Sequence, residues 1–179
     1  MDIMKLRLSL TFFVLITLSV SCAPSDSPLA EETKQQNLEQ HPLCLVSESR
    51  RHHIEAEYAV TGEQRAIGLM NRENLETDSG MLFYYPTSER RSFWMFQTLI
   101  PLDIAFIASD GEILQVFTMQ PCDSDEPRLC VSYPSRQAFR TALEMNAGYF
   151  NETGFGPGDY LLDSDCERVA WENWNGLAR

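Results

Sequence analysis

Two acidic residues stand inside apolar stretches of this chain and are the first candidates for chemistry. Asp103 lies in the segment IPLDIAF and Glu144 in ALEM. Burial raises the pKa of a carboxyl group unless hydrogen-bond donors compensate, and this is how proteins prepare carboxyl pairs for acid–base catalysis. Such a pair would suit the hydrolysis of a glycan-type substrate.

A structural role explains the same two acids, and we favour it. Asp103 follows Pro101 at a predicted strand entrance, where its oxygens can accept backbone N–H groups. Asn146, next but one to Glu144, can satisfy backbone groups in the same way. We therefore assign no catalytic residue, expect binding in preference to catalysis, and keep a carboxylate-dependent hydrolase as an alternative function.

The placement of histidine argues against nucleophilic catalysis. All three histidines, His41, His52 and His53, precede or open the first predicted strand, so a Ser-His-Asp or Cys-His system has no base within the core. Together with Cys44 they could bind a metal, but a polar linker is the simpler interpretation. We predict neither a metal nor a cofactor. The GFGPG segment, 154–158, has proline where a nucleotide-binding helix would begin, so we interpret it as a bend.

Aromatic residues are concentrated between positions 83 and 96, and we expect most of them in the core. If some are exposed beside polar side chains, they would form an apolar cleft with few polar groups, which is the usual form of a small-ligand site. The candidate ligand site comprises Trp94, Met95, Thr98, Asp103, Tyr133, Glu144 and Asn146.

Four cysteines remain when Cys22 is set aside, an even number that favours disulfides in an exported chain. Three pairings are possible. We favour Cys122–Cys130, which would close a short loop, together with Cys44–Cys166, which would join the segment before the first strand to the C-terminal tail. A metal or redox role for the short pair is disfavoured, because the nearby ligands are acidic and the Cys-x-x-Cys spacing is absent.

The first 21 residues have the order of an export signal. Lys5 and Arg7 precede an uncharged apolar run, residues 8–20, which is too short to be a good membrane span. The region resembles the processing site of bacterial lipoproteins, with Cys22 as the lipidated residue, although Ser19 stands where such sites usually have leucine. We predict a protein lipid-anchored on the periplasmic side of the cell envelope, with a soluble secreted or periplasmic protein as the alternative.

Charge restricts the partners. The chain has a formal net charge of −12 at pH 7, and residues 1–21 contribute +1, so their removal leaves −13. A surface this negative repels phosphate backbones and anionic headgroups. We therefore expect no nucleic acid as partner and membrane contact through the lipid anchor only. The expected partner is a small molecule or an envelope protein, and the sequence does not indicate an oligomeric state.

Composition divides the chain into four predicted segments. Residues 1–21 are the signal peptide, and residues 22–51, rich in Ser, Pro, Gln and Glu, form a flexible tether. Residues 52–163 form one globular domain, which is an ordinary size for a single core. Residues 164–179 form a tail with two tryptophans that we expect to pack on the domain.

The globular segment has a mainly β pattern. Apolar residues alternate with polar ones from Ile54 to Val60, and Thr61 with Gln64 forms a capping-box pattern that predicts a short helix. Asp110-Gly111 predicts a hairpin. Further strands are predicted at 80–85, 92–98, 104–107, 112–119 and 138–145, with a last one before residue 163. We predict a compact antiparallel β-sandwich or barrel-like domain with one or two short helices.

Several motifs, in order and spacing, resemble domain-of-unknown-function family 192 (DUF192) over residues 54–163. They are Gly68-Leu69-Met70, Gly80-Met81-Leu82-Phe83, Ser92-Phe93-Trp94-Met95, Thr98, Pro101-Leu102-Asp103-Ile104, Asp110-Gly111, Cys122, Leu143-Glu144 and Asn146-Ala147-Gly148. The resemblance implies a compact β-sandwich-like fold, often exported, without an established activity. The family usually has Trp-Met-Lys-Asn-Thr where this chain has Phe96 and Gln97 at the third and fourth positions, so a polar site shared there would be altered.

Taken together, these patterns predict an exported envelope protein that acts as a small-molecule or protein-binding accessory module. A purely structural envelope protein is the further alternative.

Overall fold

The computed structural model of the chain describes residues 38–167, and these residues are mainly β. The predicted signal peptide, the lipidation site Cys22, most of the predicted tether and the two tail tryptophans lie outside the described residues. Within 38–167, neither helix has the length and apolar character that a membrane crossing requires.

Nine strands and two short helices make up the described part of the chain. The strands are β1 (Gln40–Val46), β2 (Arg51–Ala59), β3 (Ser79–Glu89), β4 (Ser92–Phe93), β5 (Leu102–Ile107), β6 (Ile113–Met119), β7 (Tyr133–Pro134), β8 (Phe139–Asn146) and β9 (Tyr160–Leu162). The helices are α1 (Gly62–Ile67) and α2 (Tyr149–Thr153), and Pro127–Leu129 forms a single 3-10 turn.

Seven strands form one sheet in the order β6-β5-β8-β3-β2-β1-β9, and β4 pairs with β7 in a separate two-stranded sheet. The larger sheet is curled into a half-barrel. The predicted mainly β, compact fold is therefore confirmed. One pair, β2 with β3, is parallel, because α1 and the loop after it carry the chain back to the start of the sheet.

Side chains cover the seven-stranded sheet on both faces. The strands alternate, so that Leu82 belongs to one apolar cluster while Met81 and Phe83 belong to the other. We call the first cluster the α2 face, because Tyr149 and Phe150 of α2 pack into it. The second cluster is the β4 face, where β4 and the turn after it pack, and it comprises Ala59, Leu69, Met81, Phe83, Phe93, Met95, Leu102, Ile104, Phe106, Met119, Phe139 and Ala142.

Local sequence signals account for the turns. Thr61 and Gln64 form the predicted capping box at the start of α1, with the Gln64 N–H donating to the Thr61 hydroxyl at 3.1 Å. The Asp110-Gly111 hairpin joins β5 to β6, and Gly111 has a φ of 93°, which favours glycine. Gly80 has a different requirement, because a Cβ there would overlap the Glu144 carbonyl and the Met145 sulfur.

Two expectations about the strands need correction. The predicted tether, 22–51, contains β1, whose residues pair with β2 along its whole length. The predicted strand 92–98 ends at Phe93, because the Thr98 N–H donates to the Met95 carbonyl at 3.2 Å and closes a turn. Gln97 in this turn has a φ of 53°, a left-handed conformation that no strand contains.

Two disulfides join the pairs that the sequence favoured. Cys44 in β1 is bonded to Cys166, with 5.3 Å between their Cα atoms, and Cys122 is bonded to Cys130 at a Cα separation of 5.4 Å. The first closes a sequence separation of 122 residues and the second one of 8. Loop-closure entropy in the unfolded chain therefore makes the first bridge the more stabilising of the two.

We predict that replacing Cys44 and Cys166 together by alanine lowers the free energy of unfolding by about 5 kcal/mol, because the unfolded chain regains the entropy of a long loop. The matched control, Cys122→Ala with Cys130→Ala, should cost about 2.5 kcal/mol by the same relation. Urea unfolding followed by tryptophan fluorescence measures both. Equal losses for the two double variants would contradict the loop-length explanation.

Candidate functional site

The two acids that the sequence singled out lie on opposite faces of the sheet. In the β5–β8 ladder, Asp103 stands opposite Met145 and Ile104 stands opposite Glu144. Residues directly opposite each other share a face, and adjacent residues in one strand do not. Since Met145 belongs to the α2 face and Ile104 to the β4 face, the sheet itself separates the two carboxyl groups. They cannot act together on one substrate.

Asp103 is held by hydrogen bonds on the α2 face. Its side chain is buried, with 2% of the residue exposed. The Thr118 hydroxyl donates to one carboxylate oxygen at 2.6 Å, and the Phe150 backbone N–H donates to the other at 3.3 Å. These contacts link β5 to β6 and to α2. The arrangement agrees with the structural role that we favoured for this residue.

Glu144 lies on the β4 face and, unlike Asp103, has no hydrogen-bond partner among the described residues. It is 4% exposed, and among residues 38–167 its carboxyl group has no hydrogen bond or ion pair. Burial away from water raises the pKa of Glu144 to about 8. The group is therefore a neutral carboxylic acid at neutral pH, with one O–H donor and acceptor capacity unused.

This carboxyl group lines a small cleft between α1, β3 and β4. The cleft has a volume of about 80 Å³. Three of the predicted ligand-site residues, Trp94, Thr98 and Glu144, lie in its wall. The remaining lining is contributed by Arg65, Ala66, Ile67, Gly68, Leu69, Met70, Phe83, Tyr85, Ser92 and Phe93.

Arg65 is the basic residue of the cleft, and it was not among the residues predicted from the sequence. Its Nη1 donates to the Val60 carbonyl at 2.6 Å and to the Tyr84 carbonyl at 2.9 Å, while the guanidinium lies 4.8 Å from the Tyr85 ring centroid. No carboxylate within residues 38–167 forms an ion pair with it. The capping box and apolar residues that predict α1 give no signal for this role, because only the fold brings Arg65 into the same cleft as Glu144.

The other predicted ligand-site residues lie elsewhere. Met95 is buried in the β4 face at 1% exposure. The Asn146 side-chain amide donates to the carbonyls of Leu75 and Glu76, at 3.0 and 3.1 Å, and so holds the loop before β3. Tyr133 lines a separate hollow of about 370 Å³, and its hydroxyl accepts the Gln120 N–H at 3.1 Å.

A second and larger hollow adjoins the cleft. It has a volume of about 400 Å³ and shares Ser92, Phe93 and Trp94 with the cleft. Its other wall is formed by Pro127, Arg128 and Cys130 of the loop closed by the Cys122–Cys130 disulfide, together with Ser132 just after that loop. Trp94 is 47% exposed and stands between the two spaces.

The cluster with the spacing of metal ligands is Cys44, His53 and Cys166, whose ligand atoms lie within 4.8 Å of one another. The two sulfurs are bonded to each other, which leaves the His53 imidazole, 3.9 Å from the Cys166 sulfur, as the free ligand of the group. One imidazole is too few ligands for a metal centre. We therefore place the candidate functional site in the cleft.

We predict that Asp103→Asn lowers the free energy of unfolding by about 1–3 kcal/mol, because an amide can accept with one oxygen only and presents N–H groups to a donor. Thr118→Val, which removes a single partner, is the matched comparison and should cost less. Chemical denaturation measures both changes. Unchanged stability in Asp103→Asn would contradict the structural role.

We predict that Glu144 makes stability depend on pH. Its pKa rises from 4.5, the ordinary value, to about 8 in the folded state, so only the unfolded chain releases this proton between these values. The free energy of unfolding should fall as pH rises through that window, with a slope approaching about 1.4 kcal/mol per pH unit, and level off above it. Glu144→Gln removes this component, so the difference between wild type and variant isolates it. Parallel stability curves for the two proteins would show that the carboxyl group is not desolvated.

Comparison with known proteins places this fold among uncharacterised relatives. The DUF192 family model, described as "Uncharacterized ACR", matches residues 44–162. A proposed transcription regulator from Sinorhizobium meliloti 1021 has a similar crystal structure, with 34% sequence identity and a TM-score of 0.64; the match covers 72% of this chain and 96% of that one.

A second similar structure is a protein of unknown function from Novosphingobium aromaticivorans DSM 12444. It is 30% identical, with a TM-score of 0.62, and the match covers 79% of this chain and 93% of that one. None of the curated proteins matches the chain. The family match spans most of the described residues. It includes strands β2 to β9, the loop closed by the Cys122–Cys130 disulfide and all residues that line the cleft. The chain therefore belongs to the DUF192 family.

Proposed function

We propose that this chain is an exported, lipid-anchored accessory protein of the cell envelope that binds a small molecule or an envelope component at the Glu144 cleft. The observation that carries the proposal is a carboxyl group, 4% exposed, that faces the cleft without a partner among the described residues. Keeping an almost buried carboxyl group without a protein partner costs free energy, and at a surface cleft a ligand can supply the missing partner.

Binding is favoured over catalysis by the composition of the cleft. Its lining contains one carboxyl group, one guanidinium and one phenol, and no histidine. Asp103, the other acid of a two-carboxylate mechanism, lies across the sheet. The cleft therefore offers hydrogen bonds and apolar contact to a ligand, but no pair of groups that could act as acid and base on its two sides.

Location outside the cytoplasm is supported by the two disulfides, since such bonds persist in oxidising compartments. The lipid anchor is supported by the sequence around Cys22 and by the polar composition of the residues that follow it. These features favour the periplasmic side of the envelope.

Two other functions have less support. Transcription regulation, proposed for the relative from Sinorhizobium meliloti, would need contact with nucleic acid or with a protein bound to it, and a net charge of −12 opposes the first. A purely structural envelope protein gains nothing from an unpartnered carboxyl group in a cleft, since an apolar side chain of similar size would stabilise the same core better.

We predict that the protein, isolated without denaturation from the envelope of its own host, retains a bound molecule that native mass spectrometry detects as an added mass. Trp94→Ala should reduce the fraction of loaded protein at least fivefold, because this side chain lines both the cleft and the adjoining hollow and would lose its contact with the ligand.

Leu99→Ala is the matched control, since Leu99 is 54% exposed but does not line the cleft. The control should retain the added mass at the wild-type level. An added mass that persists equally in Trp94→Ala would move the binding site elsewhere, and protein without any added mass, combined with a lipidated N-terminus, would support the structural alternative.

A further inference from the structure

We propose that the cleft binds the carboxylate end group of its ligand, held between the Arg65 guanidinium and the Glu144 carboxylic acid. This inference rests on the proposed function and names the ligand chemistry of the same site. The two side chains line one small cavity and form no ion pair with each other, so neither satisfies the polar groups of the other.

Arg65 has donors left for such a group. Its Nη1 uses both of its hydrogens on the Val60 and Tyr84 carbonyls, which fixes the plane of the guanidinium. Nε and Nη2 have no hydrogen bond within the described residues. These two nitrogens form the edge of the guanidinium that binds a carboxylate through two parallel hydrogen bonds. A fixed plane lowers the entropy lost when the ligand binds.

Glu144 contributes a donor in its neutral form. A carboxylic acid can give its O–H to a carboxylate oxygen, whereas two ionised carboxyl groups in the same small cleft would repel each other. The charged and titratable groups that line the cleft with Glu144 are Arg65 from α1 and Tyr85 from β3. Arg91 stacks on the Tyr85 ring, 4.1 Å from its centroid, and forms an ion pair with Glu89. Arg65 therefore favours an anion in the cleft and opposes an ammonium group.

The size of the cleft indicates an end group and not a whole molecule. Pockets for drug-sized ligands have volumes of about 300–1,000 Å³, and this cleft has about 80 Å³. The rest of a larger ligand has an outlet past Trp94 into the adjoining hollow of about 400 Å³, where Arg128 lies. A free small carboxylic acid and the end of a longer chain share the same recognising chemistry.

This arrangement makes the affinity for a carboxylate depend on pH. The anion binds while Glu144 holds its proton, so its affinity should fall once that proton is lost, and burial raises the pKa of Glu144 to about 8. Between about pH 7 and pH 9 we expect the affinity for a carboxylate to fall about tenfold. An ammonium ligand would show the opposite trend.

The test is an NMR titration of the full chain, with both disulfides formed, at several pH values from 6 to 9. Three probes of nearly equal size separate the chemistries: propionate, propionamide and propylammonium. We expect propionate to shift the Arg65 side-chain resonance and the Glu144 carboxyl resonance. At pH 6 its affinity should be at least tenfold higher than that of propionamide. Propylammonium should shift neither.

Glu144→Gln tests whether the pH dependence of binding comes from the Glu144 proton. Its amide keeps an N–H donor, so propionate binding should persist while its decline above pH 8 disappears. Arg65→Met should reduce propionate affinity at least tenfold. Because Arg65 also holds two backbone carbonyls, the pH profile of Glu144→Gln decides the question if Arg65→Met does not fold.

The outcomes separate the two proposals. Equal affinity for propionate and propionamide, or propionate affinity that rises with pH, overturns the carboxylate inference. Binding of propylammonium in place of propionate overturns it too but leaves the binding function intact. If no probe shifts a cleft resonance, the carboxylate inference fails, and the added mass retained by the native protein decides the binding function alone. N-acetyl-alanylalanine, with its C-terminal amide as the control, distinguishes a chain end from a free small acid. If this peptide binds more tightly than propionate and loses the gain in Trp94→Ala, the ligand is a chain end. If its affinity equals that of propionate, the ligand is a free small acid.

Discussion

Burial of the seven-stranded sheet on both faces is the constraint on which the rest of the structure depends. Helix α2 covers one face, and β4 with the turn after it covers the other, so neither face of the central strands is open to water. A polar side chain in β5 or β8 therefore lies away from water unless it faces an opening, and the buried Thr141 hydroxyl of β8 has no hydrogen-bond partner among the described residues. Asp103 finds two donors, whereas Glu144 faces the cleft. The same constraint produces a structural acid on one side and a candidate binding group on the other.

Side chains alternate between the two faces along each strand, and this alternation decides which candidate residues can act together. A carboxyl pair suggested by sequence alone becomes two separate groups once β5 and β8 are in register, because adjacent rungs of the ladder point to opposite faces. The group that replaces the second acid is Arg65, a cation from a short helix. The register therefore removes the two-acid hydrolysis that the sequence left open, and recognition of an anion is the chemistry that we propose in its place.

Much of the fold could be predicted from local signals. Apolar runs bounded by turn residues indicate most strands, the Thr61 capping box indicates α1, and Asp110-Gly111 indicates the hairpin. β1 was missed because half of it is polar and it lies at the end of a disorder-like composition, while its stability comes from pairing with β2 and β9. The site was only partly predictable. Trp94, Thr98 and Glu144 do line the cleft, but Arg65 reaches it through a parallel crossover that no local pattern reveals.

The bond between Cys44 and Cys166 has a mechanical consequence. The chain enters the sheet four residues before one of these cysteines and leaves the described region one residue after the other, and their Cα atoms are 5.3 Å apart. Tension applied between the two ends of the protein therefore passes through a covalent link and bypasses the 121 residues between them. Such tension would load the bridge and the residues of β1 before Cys44, while the residues that line the cleft lie outside the loaded path.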